Sequence, residues 1–120
     1  MKRIFLLLLS CGIILLNCNV LGLYTSQKYC LITFRNQTSN LNTNLAVSTS
    51  SYVLDIKTQI SVNAGSNKTV AVEAGSYYAF FQEGGSWYYN TAVTECKAGK
   101  KYRTTLSYSS SYGITSLIEQ

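Results

Sequence analysis

Val62-Asn63-Ala64-Gly65-Ser66-Asn67-Lys68-Thr69-Val70-Ala71-Val72-Glu73-Ala74-Gly75-Ser76-Tyr77-Tyr78-Ala79-Phe80-Phe81 contains Ala-Gly-Ser twice, ten residues apart. A third, weaker copy follows at Ala98-Gly99-Lys100. Each copy closes one run of alternating apolar residues and opens another. Glycine reaches backbone conformations that other residues avoid, so a small residue plus glycine between two such runs reads as a turn between strands. The stretch therefore predicts a small antiparallel β domain punctuated by these turns.

The strands on either side follow the same pattern. Lys28 to Arg35 places Cys30, Ile32 and Phe34 on one face, because side chains alternate with period two. Asn36-Gln37-Thr38-Ser39-Asn40 reads as a turn. A second strand runs from about Thr43 to Thr49, with Leu45 and Val47 inward. Ser51 to Asn63 carries Tyr52, Leu54, Ile56, Thr58, Ile60 and Val62 on even positions, the signature of a half-buried strand. Its length exceeds the usual five or six residues, so a bend near Asp55–Lys57 is expected to split it. Beyond Glu73, strands are expected at 77–82, 87–93 and 102–108, with turns at Glu83-Gly84-Gly85-Ser86 and at Ser109 to Gly113. Ile114 to Gln120 adds an edge strand or frays. About seven strands with turns every eight to twelve residues make an all-β antiparallel sandwich or small barrel.

The chain has 120 residues, enough for one domain. Met1-Lys2-Arg3 is a basic start, and Ile4 to Leu16 is an apolar run broken by Asn17, Cys18 and Asn19. That is the layout of a secretory signal peptide and is short for a membrane span, which needs roughly 20 apolar residues. Residues 1–22 are read as the signal and 23–120 as the β-sandwich domain. Two exits compete. Cleavage after Gly22 uses Val20 and Gly22 as the small residues. In the other, the signal ends at residue 17: Leu15-Leu16-Asn17-Cys18 resembles the relaxed lipoboxes of spirochaete-like bacterial lipoproteins. That resemblance implies a lipidated Cys18 as N-terminus and a stable membrane anchor. The expected location is exported: held at the outer or cell membrane by lipid, otherwise periplasmic or extracellular.

Of ten Lys/Arg, two precede the apolar run, leaving eight against five Asp/Glu and a net +3 in the exported part. So mild a balance gives no reason to expect a nucleic-acid partner. Four cysteines occur, and Cys30 and Cys96 remain in the exported domain. An even pair in an exported chain reads as a disulfide; two free buried thiols are the alternative. Two cysteines with no histidine do not make a metal site, and no cofactor is expected.

Without histidine, Ser-His and Cys-His nucleophilic arrangements are impossible. Asp55, Glu73, Glu83, Glu95 and Glu119 could form a two-carboxylate hydrolase site only if the fold gathered them. The expectation is a chain that is not an enzyme. Lys97, Lys100, Lys101 and Arg103 read either as a solvated turn or as a contact for anionic lipid or glycan. Asn36-Gln37-Thr38 and Asn67-Lys68-Thr69 match glycosylation sequons.

Phe34-Arg35-Asn36-Gln37-Thr38, the Ala-Gly-Ser units and Gly75-Ser76-Tyr77 together resemble small extracytoplasmic immunoglobulin-like or transthyretin-like sandwiches, over most of residues 28–108. Such domains share no single activity. The resemblance implies that Tyr77, Ala79 and Phe81 point inward, leaving Tyr78 and Phe80 outside. If Cys96 points inward without an intervening bulge, so do Tyr88, Ala92 and Thr94, and Trp87 and Tyr89 face out beside Tyr78 and Phe80. One bulge would invert that parity. Exposed rings in such number mark a binding surface for a protein or glycan. The structural alternative is a tyrosine-rich wet sheet, or a patch covered by the C-terminal segment. The sequence thus points to an exported or membrane-anchored binding and envelope-interaction module; a freely secreted, disulfide-stabilised effector or inhibitor is the alternative.

Overall fold

The computed structural model describes residues 28–51 and 56–120. The signal segment 1–22, Cys18, Tyr52, Leu54 and Asp55 lie outside the described residues. Ten strands follow in order: β1 (Tyr29–Asn36), β2 (Thr43–Ser48), β3 (Ile56–Val62), β4 (Asn67–Glu73), β5 (Gly75–Glu83), β6 (Ser86–Tyr89), β7 (Thr94–Cys96), β8 (Lys101–Tyr108), β9 (Tyr112–Ile114) and β10 (Ile118–Glu119). The expected seven become ten because the C-terminal segment forms two short strands and the segment after Trp87 is split into two.

The strands build two five-stranded sheets. The first runs β10-β8-β1-β4, with β9 also on β8; the second runs β3-β2-β5-β6, with β7 also on β5. Their inner faces meet in one core. β1 contributes Cys30, Ile32 and Phe34, and β2 contributes Leu45 and Val47, as the period-two reading expects. β5 contributes Tyr77, Ala79 and Phe81, and β8 contributes Tyr102 and Leu106. Leu117, 3% exposed, brings the C-terminal segment into the same core, so that segment is an edge and not a frayed end. The pairing is antiparallel throughout except for β1 with β8, which is parallel.

The Ala-Gly copies have a different role from the expected hairpin turns. Ala64-Gly65-Ser66 leads from β3 in the second sheet to β4 in the first. Ala74-Gly75-Ser76 returns the chain to β5 in the second, and Ala98-Gly99-Lys100 takes it from β7 back to β8 in the first. All three carry the chain between layers. The aromatic hairpin β5–β6 is made instead by Gly84-Gly85, at φ 60° and 83°. Two adjacent residues with positive φ give the turn whose twist matches that of paired strands.

The crossings are pinned by backbone bonds to β1 and to Lys28 just before it. Gly65 donates its N–H to Asn36 O at 2.8 Å, Ala74 to Lys28 O at 3.0 Å and Gly99 to Tyr29 O at 2.9 Å. Tyr77 adds a side-chain tie: its buried hydroxyl donates to Glu73 O at 2.6 Å, across the second crossing.

Asn36, read from sequence as a turn residue and sequon, is 1% exposed. Its amide donates to Leu41 O (2.7 Å) and Val62 O (3.0 Å), while its Oδ1 accepts from the Thr38 N–H (3.0 Å) and hydroxyl (2.7 Å). Every polar position of the side chain is used, so this sequon is closed in the folded domain. Asn67, at the exposed start of β4, stays open.

The expected bend in the third strand appears as a register shift. Val47 pairs with Thr58, yet Ser48 pairs with Ile56, so Lys57 is the extra residue of a bulge.

Candidate functional site

The outer face of the second sheet is assembled from four strands by register. Across one row lie Ser61 of β3, Asn44 of β2, Gln82 of β5 and Trp87 of β6. Asn44 Nδ2 donates to Gln82 Oε1 at 3.0 Å, and the Thr43 hydroxyl donates to Gln82 O. The next row holds Gln59, Ala46, Phe80 and Tyr89. Tyr78 lies opposite Ser48 one row further on. These positions carry amides, hydroxyls, a methyl and rings, and no charge.

The four rings expected to share a face do so. Phe80 stacks on Tyr89 with centroids 5.2 Å apart and planes at 24°. Trp87 meets Phe80 edge-on at 6.4 Å, and Tyr78 meets Tyr89 edge-on at 6.0 Å. Such pairs contribute about 0.5–1.5 kcal/mol each beyond the area they bury. Tyr78 and Trp87 are half-buried and Tyr89 is 41% exposed. Phe80 differs from the sequence expectation in one respect. It faces outward, but at 1% exposure it lies beneath the other rings. It is the floor of the cluster, and the contact surface is Tyr78, Trp87 and Tyr89. The C-terminal segment pairs with β8 in the opposite sheet.

The parity that places these rings survives a break in the strand. Phe80 pairs with Tyr89, and an uninterrupted ladder would bring Ala92 opposite Tyr77; Thr94 stands there instead. The excursion after Tyr89 thus adds two residues, an even number, and leaves inward and outward faces unchanged. Ala92, expected inward, is exposed on this excursion, and Tyr88, also expected inward, stacks on Phe81 at 5.4 Å but is 47% exposed at the end of the short β6. Asn90 pins it: its backbone N–H donates to Ala79 O at 3.0 Å, its amide donates to Ile114 O at 2.9 Å, and its Oδ1 accepts from the Ala92 N–H at 2.9 Å.

Cys30 and Cys96 come from opposite sheets and meet in the core, both buried and both free thiols. Each thiol lies close enough to the other to influence its ionisation. Burial pushes the Cys30 thiol up from its ordinary value. Cys96 is pushed up to about 12, first by burial and then by repulsion from a neighbouring Cys30 thiolate. Tyr77 is raised by burial as well, and then by the charges that the two thiolates and Glu73 would carry. Neutral thiols are poor nucleophiles, so this pair is inert to exchange in the folded reduced state.

Glu95 is exposed on β7, opposite Ser76. Glu73 lies 3.6 Å from Lys28, and Glu119 lies 3.9 Å from Lys100, both pairs well exposed. Glu83 stands at the opposite end of the sandwich, beside the β5–β6 turn. Asp55 lies outside the described residues, and among those described no three metal-binding side chains cluster. Lys97, Lys100 and Lys101 are exposed at the end where β1 begins.

Comparison with known proteins finds no family model, no curated protein and no solved structure that matches this chain.

Proposed function

We propose that this chain is an exported, non-enzymatic binding module of the cell envelope, anchored by a lipidated Cys18 and engaging a protein or glycan through Tyr78, Trp87 and Tyr89. The ring cluster on the outer face of the second sheet carries this reading. A cluster of one exposed and two half-buried rings over a buried fourth marks a surface suited to contact, and rings in such settings supply most of the energy of an interface.

The layout of the sandwich supports the anchored orientation. The chain enters β1 at Tyr29, beside exposed Lys28, Lys97, Lys100 and Lys101. Gln82 and Trp87 lie toward the other end, level with Asn44. The two ends are separated by the length of β1, roughly 23 Å for its eight residues. The lysine-bearing end is thus the one at which β1 starts, and the ring surface rises toward the other. Within the same reading, Cys30 and Cys96 are joined as a disulfide on export: the two thiols give up two protons and two electrons to the disulfide of a thiol oxidoreductase.

Two measurements test the proposal. The intact mass of the protein isolated from its cell should correspond to a chain beginning at acylated Cys18. A chain beginning at unmodified Leu23 identifies the freely secreted form instead. Trp87 is the only tryptophan, so its fluorescence reports on the ring surface alone. Titration with isolated envelope fractions should shift and saturate that emission, and Tyr89→Ala should abolish the saturation while leaving the far-ultraviolet circular dichroism unchanged. Emission indifferent to every fraction would overturn the assignment.

A further inference from the structure

A second concave surface lies at the end of the sandwich away from the N-terminal entry, formed by three connections. The β1–β2 loop contributes Ser39 and Asn40, the end of β5 contributes Glu83, and the β8–β9 hairpin contributes Tyr108, Ser110, Ser111 and Tyr112. The cleft encloses about 600 Å³ and opens on one side. That is within the range of about 300–1,000 Å³ typical of ligand sites.

Its chemistry is specific. Tyr108 and Tyr112 pack edge-to-face at 4.8 Å, and Tyr108 remains 59% exposed, presenting ring surface to the cleft. Tyr112 is held by its hydroxyl, 3.2 Å from Asn40 Oδ1, which ties the hairpin to the β1–β2 loop. Glu83 makes no ion pair or side-chain hydrogen bond with the described residues. The hairpin tip is strained: Ser110 is the only non-glycine among the described residues with positive φ, at 62°. A serine there costs about 1 kcal/mol relative to the right-handed region. The strain is maintained by Ser109 N–H donating to Ser111 O at 2.9 Å and the Ser110 hydroxyl donating to Ser109 O at 2.5 Å.

We infer that this cleft binds a neutral saccharide, independently of the ring surface on the second sheet. A pyranose offers C–H faces that stack on an exposed tyrosine ring and hydroxyls that both donate and accept. Serine hydroxyls and the Asn40 amide answer both functions, and the ionised Glu83 accepts hydrogen bonds from paired hydroxyls. An anion is repelled by Glu83. A wholly apolar ligand would strip water from the carboxylate and hydroxyls and return no hydrogen bonds.

The test uses the exported full chain, nitrogen-15 labelled, titrated with cellotetraose, chitotetraose and mannotetraose, and separately with n-butylammonium. The expected result is saturable amide shifts at Asn40, Ser110, Ser111 and Gly113 with at least one tetrasaccharide. Glu83→Gln and Tyr108→Ala should each weaken that binding about tenfold or more, and Trp87→Ala should leave it unchanged. Both positions end their strands, Glu83 half-buried and Tyr108 exposed, and neither belongs to the core cluster, so neither substitution threatens the core. Shifts centred on Tyr78, Trp87 and Tyr89 instead would assign sugar binding to the sheet face and overturn the cleft site while sparing the proposed function. Loop shifts with n-butylammonium alone would make it an amine site. The absence of shifts with all three saccharides would also refute it.

Discussion

Joining or separating Cys30 and Cys96 should be the largest single lever on the stability of this domain. The two residues are 66 positions apart in the chain. Their link would tie β1 in the first sheet to β7, which is hydrogen-bonded to β5 in the second. Closing a loop of that length removes unfolded-state entropy worth about 4 kcal/mol in the chain-entropy model. Both side chains lie in the same core cluster and influence each other's ionisation, which makes them neighbours in the folded domain. At a urea slope of about 1–1.5 kcal/mol per M, expected for a domain of this size, the unfolding midpoint of the reduced protein should fall by roughly 3–4 M. The assay is urea unfolding of the isolated protein with and without reductant, followed by circular dichroism. Mass spectrometry under denaturing conditions should show the untreated chain lighter by two hydrogens, and its cysteines should resist alkylation. A Cys30→Ala/Cys96→Ala variant should unfold near the reduced midpoint and lose its response to reductant. Coincident midpoints for oxidised and reduced protein would refute the reasoning, as would isolated native protein whose two thiols alkylate on unfolding.

Other perturbations probe the same frame. Because burial raises the thiols and Tyr77 in the folded state above their ordinary values, the folded reduced protein holds protons that the unfolded chain releases. Its stability should be intact below about pH 9 and decline as pH rises toward the Cys96 value of about 12. Oxidised protein should show a shallower decline over that window in unfolding midpoint against pH. The Ala-Gly copies should respond unequally to alanine. Gly65 and Gly99, at φ 80° and 79°, should each cost about 1 kcal/mol in chemical denaturation. At Gly75, where φ is not positive, an added Cβ meets the Tyr77 ring only at ordinary contact, 3.5 Å, and the change should be nearly neutral. Asn36→Ala removes two donors and one acceptor from buried partners and should cost about 3 kcal/mol, measured as a fall in urea midpoint; a change below 1 kcal/mol on that about 1–3 kcal/mol-per-group scale would show that water replaces the amide.

Much of this was legible before any coordinates. Period-two alternation depends only on the pleat of an extended chain, so the inward faces of β1 and β2 could be read directly from Cys30, Ile32, Phe34, Leu45 and Val47. The positions at which Lys57 bulges and Gly84-Gly85 turns are also local matters of composition. The grouping of Tyr78, Phe80, Trp87 and Tyr89 followed from parity along β5 and β6, and the ladder that pairs Phe80 with Tyr89 and Gln82 with Trp87 fixes it. The excursion after Tyr89 adds two residues, so Cys96 keeps the inward parity from which Trp87 and Tyr89 were placed; an odd insertion would have turned Cys96 outward and made that inference fail. The cleft at the loop end left less trace. Its residues come from three connections far apart in the chain, and serine, asparagine and tyrosine in loops carry no signal of their own.

Which residues alternate, where the chain must turn and that a cysteine pair is available follow from the order of residues, because these depend on neighbours along the backbone. What each turn accomplishes depends on contacts between distant segments. Ala64-Gly65, Ala74-Gly75 and Ala98-Gly99 are chemically turns, but a turn obeys the same local rules whether it closes a hairpin or crosses between layers. The choice rests on non-local hydrogen bonds: β4 finds its edge on β1, β1 lies parallel to β8, and the backbone of β1 and of Lys28 just before it caps all three crossings. The same non-local packing buries Phe80 under its neighbours and brings Cys30 to Cys96. Those energies come from segments tens of residues apart, and no window along the chain contains them.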